Sequence, residues 1–193
     1  MSPPDAPFVT VVAGVPRSGT SLMMQMLRAG GLELLTDGAR PADADNPNGY
    51  FEFAAVRGLR RDAAWLDGAE GSAVKIVHSL VTALPADRAY RVILLRRRLA
   101  EVAVSQRAML ERAGAPPDDL ADERVTAVFR AQLDEVDRWL TAQRNFSLLR
   151  VDYNDAVSHP GPVAERVNRF LGGNLDCDAM AAAVDPALYR QRR

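Results

Sequence analysis

The sequence predicts an α/β fold in which a parallel sheet of four to five strands is flanked by helices. Two observations carry this prediction. Short apolar segments alternate along the 193 residues with longer segments of helical periodicity. The first apolar segment also runs into a glycine-bearing loop that opens a helix, "GVPRSGTS" at residues 14–21. Strands separated by helices need crossover connections, which make a sheet parallel. The chain length suits one domain over residues 1–193.

Four segments are predicted as strands. Residues 8–14, "FVTVVAG", are β-branched or apolar at almost every position, which is typical of a strand buried on both faces. The same pattern recurs at residues 73–77, 90–95 and 146–151. Ligands bind beyond the carboxyl ends of such strands, so the residues that follow each strand are the first candidates for a functional site.

Helical periodicity occupies the connections between these strands, with polar turn segments at residues 43–50 and 152–162. Glycines at positions 30 and 31 mark the end of the first helix, and prolines at 116 and 117 separate the third helix from the fourth. The predicted helices cover residues 20–31, 52–66, 99–114, 119–144 and 163–173. This order places helices on both faces of the sheet.

Composition argues against several classes of function. With 24 basic and 25 acidic residues, the chain has no charge excess that favours nucleic acid or a membrane surface as a partner. The single cysteine, Cys177, cannot form an internal disulfide, which is typical of a reducing compartment. No apolar run approaches the roughly 20 residues that span a bilayer, and residues 1–7 lack the basic start of a secretory signal. We therefore expect a cytoplasmic protein, with its oligomeric state left open.

The loop at residues 14–21 has the glycine spacing of a phosphate-binding loop, but Thr20 stands where the nucleotide motif has lysine. Backbone N–H groups at a helix start attract an anion, and the helix dipole adds to this attraction. Arg17 supplies a fixed charge with forked donors that suit tetrahedral oxyanions. The pattern predicts an anion site in a P-loop NTPase-like fold; an ordinary strand–helix turn with a hydroxyl cap is the alternative. The candidate residues are Arg17, Ser18, Gly19, Thr20 and Ser21.

A second candidate anion site is the run of arginines at positions 96–98, where the third predicted strand ends. Three cations at the start of a helix oppose its dipole, each by about 0.3–1 kcal/mol at an exposed site. A bound anion would reverse that effect, whereas a solvated charge cluster is the alternative interpretation. A nucleotide with phosphates at both ends would bridge the two sites.

With these two motifs the sequence resembles the sulfotransferases that use 3′-phosphoadenosine 5′-phosphosulfate (PAPS), in particular their bacterial branch. Residues 16–21, "PRSGTS", match the family's loop for the 5′-phosphosulfate, and residues 97–105, "RRLAEVAVS", match its 3′-phosphate segment, with an arginine at the strand end and a serine eight residues later. Four further segments are similar to family segments: "NPNGYFE" (46–52), "KIVHSLVTALP" (75–85), "VDYNDAV" (151–157) and "VDPALYRQR" (184–192).

The resemblance implies transfer of a sulfuryl group from PAPS to a hydroxyl or amine of a small-molecule or carbohydrate acceptor, without a metal. Arg17 and Lys75 would stabilise the negative charge that develops on the transferring and leaving oxygens. Tyr153 would lie near the adenine, and Arg190 could close over the nucleotide. The implied nucleotide-binding residues are Arg17, Ser18, Gly19, Thr20, Ser21, Arg97, Ser105, Tyr153 and Arg190.

Two residues are candidates for the general base that takes the acceptor's proton. Glu52 ends the segment "NPNGYFE", and some carbohydrate and tyrosine sulfotransferases use a glutamate from the corresponding region. His78 lies three residues after Lys75, whereas the cytosolic branch of the family has its histidine two residues after the lysine. Alternate strand residues face opposite ways, so this offset favours Glu52.

Two other functions compete with sulfuryl transfer. A P-loop kinase or nucleotide hydrolase predicts magnesium dependence and a loop lysine, and Thr20 replaces that lysine. A non-catalytic nucleotide-binding protein on the same scaffold would keep Arg97 and Ser105 but would not turn over an acceptor.

Overall fold

The structure, a computed structural model, describes residues 7–43, 46–112, 114 and 122–185. Five parallel strands form one sheet in the order β2-β3-β1-β4-β5. The strands are β1 (Phe8–Gly14), β2 (Glu33–Leu35), β3 (Ser72–Val77), β4 (Ala89–Arg96) and β5 (Phe146–Asp152). The predicted α/β class is confirmed. Only β2 was not predicted from its residues, because three partly exposed residues at the sheet edge carry no strand pattern.

The described residues form six α-helices, which lie on both faces of the sheet. They are α1 (Thr20–Ala29), α2 (Leu99–Arg112), α3 (Asp122–Ala142), α4 (Tyr153–Ser158), α5 (Pro160–Leu171) and α6 (Cys177–Ala182). On one face, Val11 and Ala13 of β1 pack in a core with α3. On the other face, Val12 packs in a core with α1, α5 and α6. The alternation of β1 side chains thus serves both layers, as a strand buried on both faces requires.

Besides β2 and α6, which were not predicted, two segments differ from the prediction. Residues 52–66 form short 3₁₀ helices at Ala54–Gly58 and Ala64–Leu66, not one α-helix. The chain turns between them, where the amide N–H of Asp62 donates to the carbonyl of Gly58 and the Asp62 carboxylate accepts from the amide of Ala64. These local bonds compete with a continuous helix.

The second difference is the segment at residues 152–162, predicted as a turn. It contains α4, because the Asp152 side chain accepts hydrogen bonds from the amides of Asn154 and Asp155 and so caps a helix. Pro160 then occupies the first turn of α5, where its missing N–H leaves no donor unpaired.

Strand order determines where a ligand can bind. β1 lies between β3 and β4. The chain therefore adds β2 and β3 on one edge of β1 and then crosses over to add β4 and β5 on its other edge. The crevice at such a reversal lies beyond the carboxyl ends of the strands. Gly14, Val77 and Arg96 end the three central strands at this crevice. Within the described ranges, no helix is long and apolar enough to cross a membrane.

Candidate active site

A cavity of about 480 Å³ opens beyond the carboxyl ends of β1, β3 and β4. Its wall includes most of the site residues predicted from the sequence: Arg17, Gly19, Thr20, Ser21, Glu52, Lys75, Arg97, Ser105 and Tyr153. Ser18 and His78 are described but do not line it. Arg190 lies outside the described residues. The structure thus brings the two predicted anion sites into one cavity.

The loop after β1 has the geometry of an anion-binding loop. Gly19 precedes α1 with a φ of 98°, and no side chain makes a capping hydrogen bond at this helix start. The first turn of α1 also carries no acidic residue, so the helix start keeps its attraction for an anionic ligand. A Cβ atom at position 19 would overlap Cδ2 of Tyr153, so only glycine lets this ring pack against the loop. The backbone of Arg17 also adopts a left-handed conformation, with a φ of 68°.

Ser18 differs from its predicted role as a hydroxyl donor to the ligand. The residue is fully buried, and its hydroxyl has no hydrogen-bond partner. The hydroxyl lies behind the loop, where a Cβ atom on Gly14 would overlap it. This backward orientation explains why Gly14 is needed, and it leaves the hydroxyls of Thr20 and Ser21 on the cavity wall.

The two predicted phosphate sites are in direct contact. Nε of Arg17 donates a hydrogen bond to Oγ of Ser105 over 2.9 Å, although Arg17 was assigned to the 5′ end of the nucleotide and Ser105 to the 3′ end. Nη1 of Arg97 donates to the main-chain oxygen of Arg17 over 3.1 Å. Arg97, predicted for the 3′ site, therefore also contacts the loop predicted for the 5′ site.

The arginine run at 96–98 is not one solvated cluster. Arg96 forms an ion pair with Asp137, and the Arg98 side chain is 64% exposed. The Arg97 side chain is only 7% exposed, pairs with Glu101 over 3.1 Å and lies with Cζ 4.4 Å from the centroid of the Tyr153 ring. The repulsion expected between Arg97 and the helix dipole is offset by this buried carboxylate, four residues further on.

Lys75 lines the cavity and lies on β3, two residues before the strand ends. Its ammonium donates to the main-chain oxygen of Tyr50, and Nζ lies 3.5 Å from Oγ of Ser21 and 4.0 Å from Oε1 of Glu52. Burial lowers the pKa of Lys75 from 10.5 to about 8, with the nearby Glu52 carboxylate opposing part of that shift. The contact with Tyr50, which the sequence did not indicate, connects this cation to a second segment that lines the cavity.

The segment that contains Tyr50 and Glu52, residues 36–43 and 46–53, contributes to the cavity wall and is called the strap below. The Glu52 carboxylate pairs with Arg40 of the strap at 3.1 Å and with Arg57, just beyond the strap, at 3.5 Å, and its side chain is 28% exposed. The guanidinium carbon of Arg40 lies 3.4 Å from the centroid of the Tyr50 ring, and the Tyr50 hydroxyl donates to the Asp43 carboxylate. The strap thus holds the Glu52 carboxylate at the cavity wall among three cations.

His78, the second candidate base, is buried and does not line the cavity. β3 ends at Val77, and His78 starts a 3₁₀ helix over His78–Ala83. The ring is 4% exposed and lies 2.9 Å from Oε1 of Gln132 on α3. Of the two candidates, only Glu52 lines the cavity.

The fold and the cavity define a P-loop-type α/β protein with a binding site for an anionic nucleotide. The chain belongs to the sulfotransferase domain family, whose pattern matches residues 9–190. This assignment confirms the predicted enzyme class. No group of three or more His, Cys, Asp or Glu side chains that could hold a metal ion is found among the residues that the structure describes.

Solved structures share the fold at low identity. The sulfotransferase domain from the curacin biosynthetic pathway is 15% identical with a TM-score of 0.54, over 94% of this chain and 89% of that one. The sulfotransferase domain from the Synechococcus PCC 7002 olefin synthase is 18% identical with a TM-score of 0.55, over 97% and 88%. Retinol dehydratase, in complex with androsterone and the inactive cofactor PAP, is 20% identical with a TM-score of 0.55 over 94% of this chain, which spans 64% of it. No curated protein sequence matches.

Proposed function

We propose that this protein transfers the sulfuryl group of PAPS to a hydroxyl or amine of a small-molecule or carbohydrate acceptor. The observation that carries the proposal is the convergence of Arg17, Lys75 and Arg97 on one cavity at the uncapped start of α1. A doubly phosphorylated nucleotide needs two anion sites in one cavity, and these residues supply them. Membership of the sulfotransferase domain family supports the same reaction.

The residues of the cavity fit the donor. The backbone amides at the start of α1, with Thr20 and Ser21, would hold its 5′-phosphosulfate end, because such amides bind phosphate-like groups. Arg97 and Ser105 would hold the 3′-phosphate. Tyr153 would lie against the nucleoside, since its ring is buried between Gly19 and Arg97. PAP in the retinol dehydratase complex, a protein of the same fold, supports this assignment.

Three side chains would carry two roles in the transfer. PAPS supplies an activated sulfuryl group, so the protein has to position the reactants and stabilise charge. Lys75 and Arg17 would stabilise the negative charge that develops as the bond between sulfur and the 5′-phosphate oxygen breaks. Glu52 would accept the proton of the acceptor as the acceptor oxygen or nitrogen bonds to sulfur. Glu52 and Lys75 lie 4.0 Å apart, so base and cation act at one place.

The acceptor would bind between the strap and α2. Pro47, Asn48 and Tyr50 line the cavity from the strap, and Gln106 and Met109 line it from α2. This wall mixes apolar and amide groups, which suits an acceptor with both a carbon skeleton and hydroxyl groups. Androsterone in the retinol dehydratase complex supports a small molecule over a macromolecule.

The reaction should lose rate as pH rises through about 8. Lys75 carries its charge only below its lowered pKa of about 8, so kcat should fall on the alkaline side, and Lys75→Arg should move that fall to higher pH. Folding responds in the opposite direction. The unfolded chain binds this proton more tightly than the folded chain, so the Lys75 contribution to stability rises between about pH 8 and 10.5. Parallel pH profiles of kcat and of chemical unfolding separate the two effects.

Adenosine 3′,5′-bisphosphate (PAP) should bind more tightly than ATP. Charge-assisted hydrogen bonds contribute about 1.5–3 kcal/mol each, so a 3′-phosphate at Arg97 should favour PAP by at least tenfold. Calorimetry with both nucleotides measures this, and turnover of labelled PAPS with a panel of acceptors should persist in excess chelator. Tighter binding of ATP, or turnover that needs added magnesium, would point to a kinase instead.

Two other expectations from the sequence remain proposals. We propose that residues 1–193 form a single domain, which the one sheet in the described residues supports. A cytoplasmic location is proposed from the composition alone. Limited proteolysis and fractionation of cells test these two points.

A further inference from the structure

A buried carboxylate lies behind the cavity wall, in the first turn of α2. Glu101 is 1% exposed, although an acidic residue at a helix start is usually solvated. A buried carboxylate is stable only where its oxygens are paired. Oε2 accepts from Nε of Arg97 at 3.1 Å, and Oε1 accepts from Nδ2 of Asn154 at 3.4 Å and lies 3.7 Å from Nη1 of Arg98. Glu101 therefore joins the end of β4 to the start of α4.

The main effect of this carboxylate falls on Arg97. The Arg97 guanidinium is held at Nε by Glu101, at Nη1 by the main-chain oxygen of Arg17, and on one face by the Tyr153 ring. Three separate segments thus fix one planar group at the cavity wall. Because Nε of Arg97 is bound to Glu101, the guanidinium cannot rotate about its side-chain bonds without breaking this ion pair, which is almost fully shielded from water.

We infer that Glu101 is a positioning residue that gives the site its selectivity for a nucleotide with a 3′-phosphate. The inference rests on the proposed function, since it concerns the Arg97 end of the nucleotide site. A cation already fixed in the bound orientation loses little conformational freedom when the phosphate binds, so the pre-organised site binds the 3′-phosphate more tightly. Glu101 itself is shielded from the cavity and acts on the nucleotide only through Arg97.

Glu101→Gln tests the role, because the amide keeps the shape of the side chain and removes its charge. The ratio of PAP affinity to adenosine 5′-monophosphate (AMP) affinity should fall by about tenfold in calorimetry, since only PAP carries the 3′-phosphate. In turnover, KM for PAPS should rise by a similar factor and kcat should change little. A role confined to the fold would lower both affinities together.

A double-mutant cycle with Arg97→Gln gives the decisive comparison. Once Arg97 is neutral, adding Glu101→Gln should not reduce the PAP-to-AMP ratio further. Arg98→Gln is the matched control, because Arg98 contacts the same carboxylate from an exposed position, and its ratio should stay at the wild-type value. An additive loss in the double variant overturns the inference, as does a loss in Arg98→Gln equal to that in Glu101→Gln.

Other outcomes separate this inference from the proposed function. A ratio of PAP affinity to AMP affinity near one in the wild-type protein overturns the proposed function itself. A high wild-type ratio that survives Glu101→Gln overturns only the role of Glu101. Tighter binding of both nucleotides would show that the carboxylate acts merely as a nearby negative charge, and this also overturns it. If Glu101→Gln does not fold, Asn154→Ala removes one support of the carboxylate, and the ratio should fall in the same direction by a smaller factor.

Discussion

Replacement of Glu52 by glutamine is expected to lower kcat by about 10²–10⁴-fold, the usual contribution of a general base. Glutamine keeps the shape of the side chain and one acceptor oxygen for the neighbouring arginines, but it cannot accept the acceptor's proton. The affinity for PAP should hardly change, because Glu52 is not assigned to either phosphate. Steady-state turnover together with PAP calorimetry measures both quantities.

The controls for Glu52→Gln use its neighbours. His78→Ala should leave kcat within a few-fold of wild type, because His78 lies against Gln132 outside the cavity. The alkaline fall of the pH profile should also move to lower pH in Glu52→Gln, since the Glu52 carboxylate raises the pKa of Lys75. A larger loss in His78→Ala than in Glu52→Gln would contradict the assignment of the base.

Arg97→Ala is expected to lower the free energy of unfolding by about 3 kcal/mol, near the lower end for a broken buried ion pair, because Glu101 keeps contacts with Asn154 and Arg98. The same substitution should weaken the binding of PAP by about thirtyfold, or roughly 2 kcal/mol. AMP should weaken less, although not negligibly, because Arg97 also holds the main-chain oxygen of Arg17. Urea unfolding and calorimetry with both nucleotides give these values.

Arg98→Ala is the matched control for that substitution. Its side chain is 64% exposed, and a surface ion pair contributes about 0–1 kcal/mol, so stability and PAP affinity should both stay close to wild type. Equal effects of the two alanine variants would restore the interpretation of the arginine run as a diffuse basic surface.

Local patterns in the sequence were sufficient for four of the five strands and for the loop. β1 and the loop around Gly19 were predicted because strand burial and anion binding each leave a continuous signature. The prediction of one helix over residues 52–66 was wrong, because helical periodicity does not show that the Asp62 carboxylate caps a new turn. His78 was a candidate because the segment after Lys75 resembles the family segment that carries a histidine, but β3 ends at Val77, one residue before it.

The parts of the site that the sequence did not indicate depend on distant contacts. Lys75 meets the main-chain oxygen of Tyr50, 25 residues away, and Arg17 meets Ser105, 88 residues away. No spacing rule links such pairs. Glu101 is different, since its position four residues after Arg97 is a helical ion-pair spacing that could have been noticed, although its burial could not.

The position of β1 at the centre of the sheet also has a consequence for biosynthesis. Val12 pairs in register with Lys75 on one side and with Ile93 on the other, so the first strand to be made finds neither neighbour until much later chain is available. A nascent chain that has not yet delivered β4 from the ribosome therefore holds an apolar strand with at least one edge open, the state in which strands associate wrongly. Ribosome-bound chains arrested before residue 89 should accordingly depend on chaperones, and those arrested well after β5 should not.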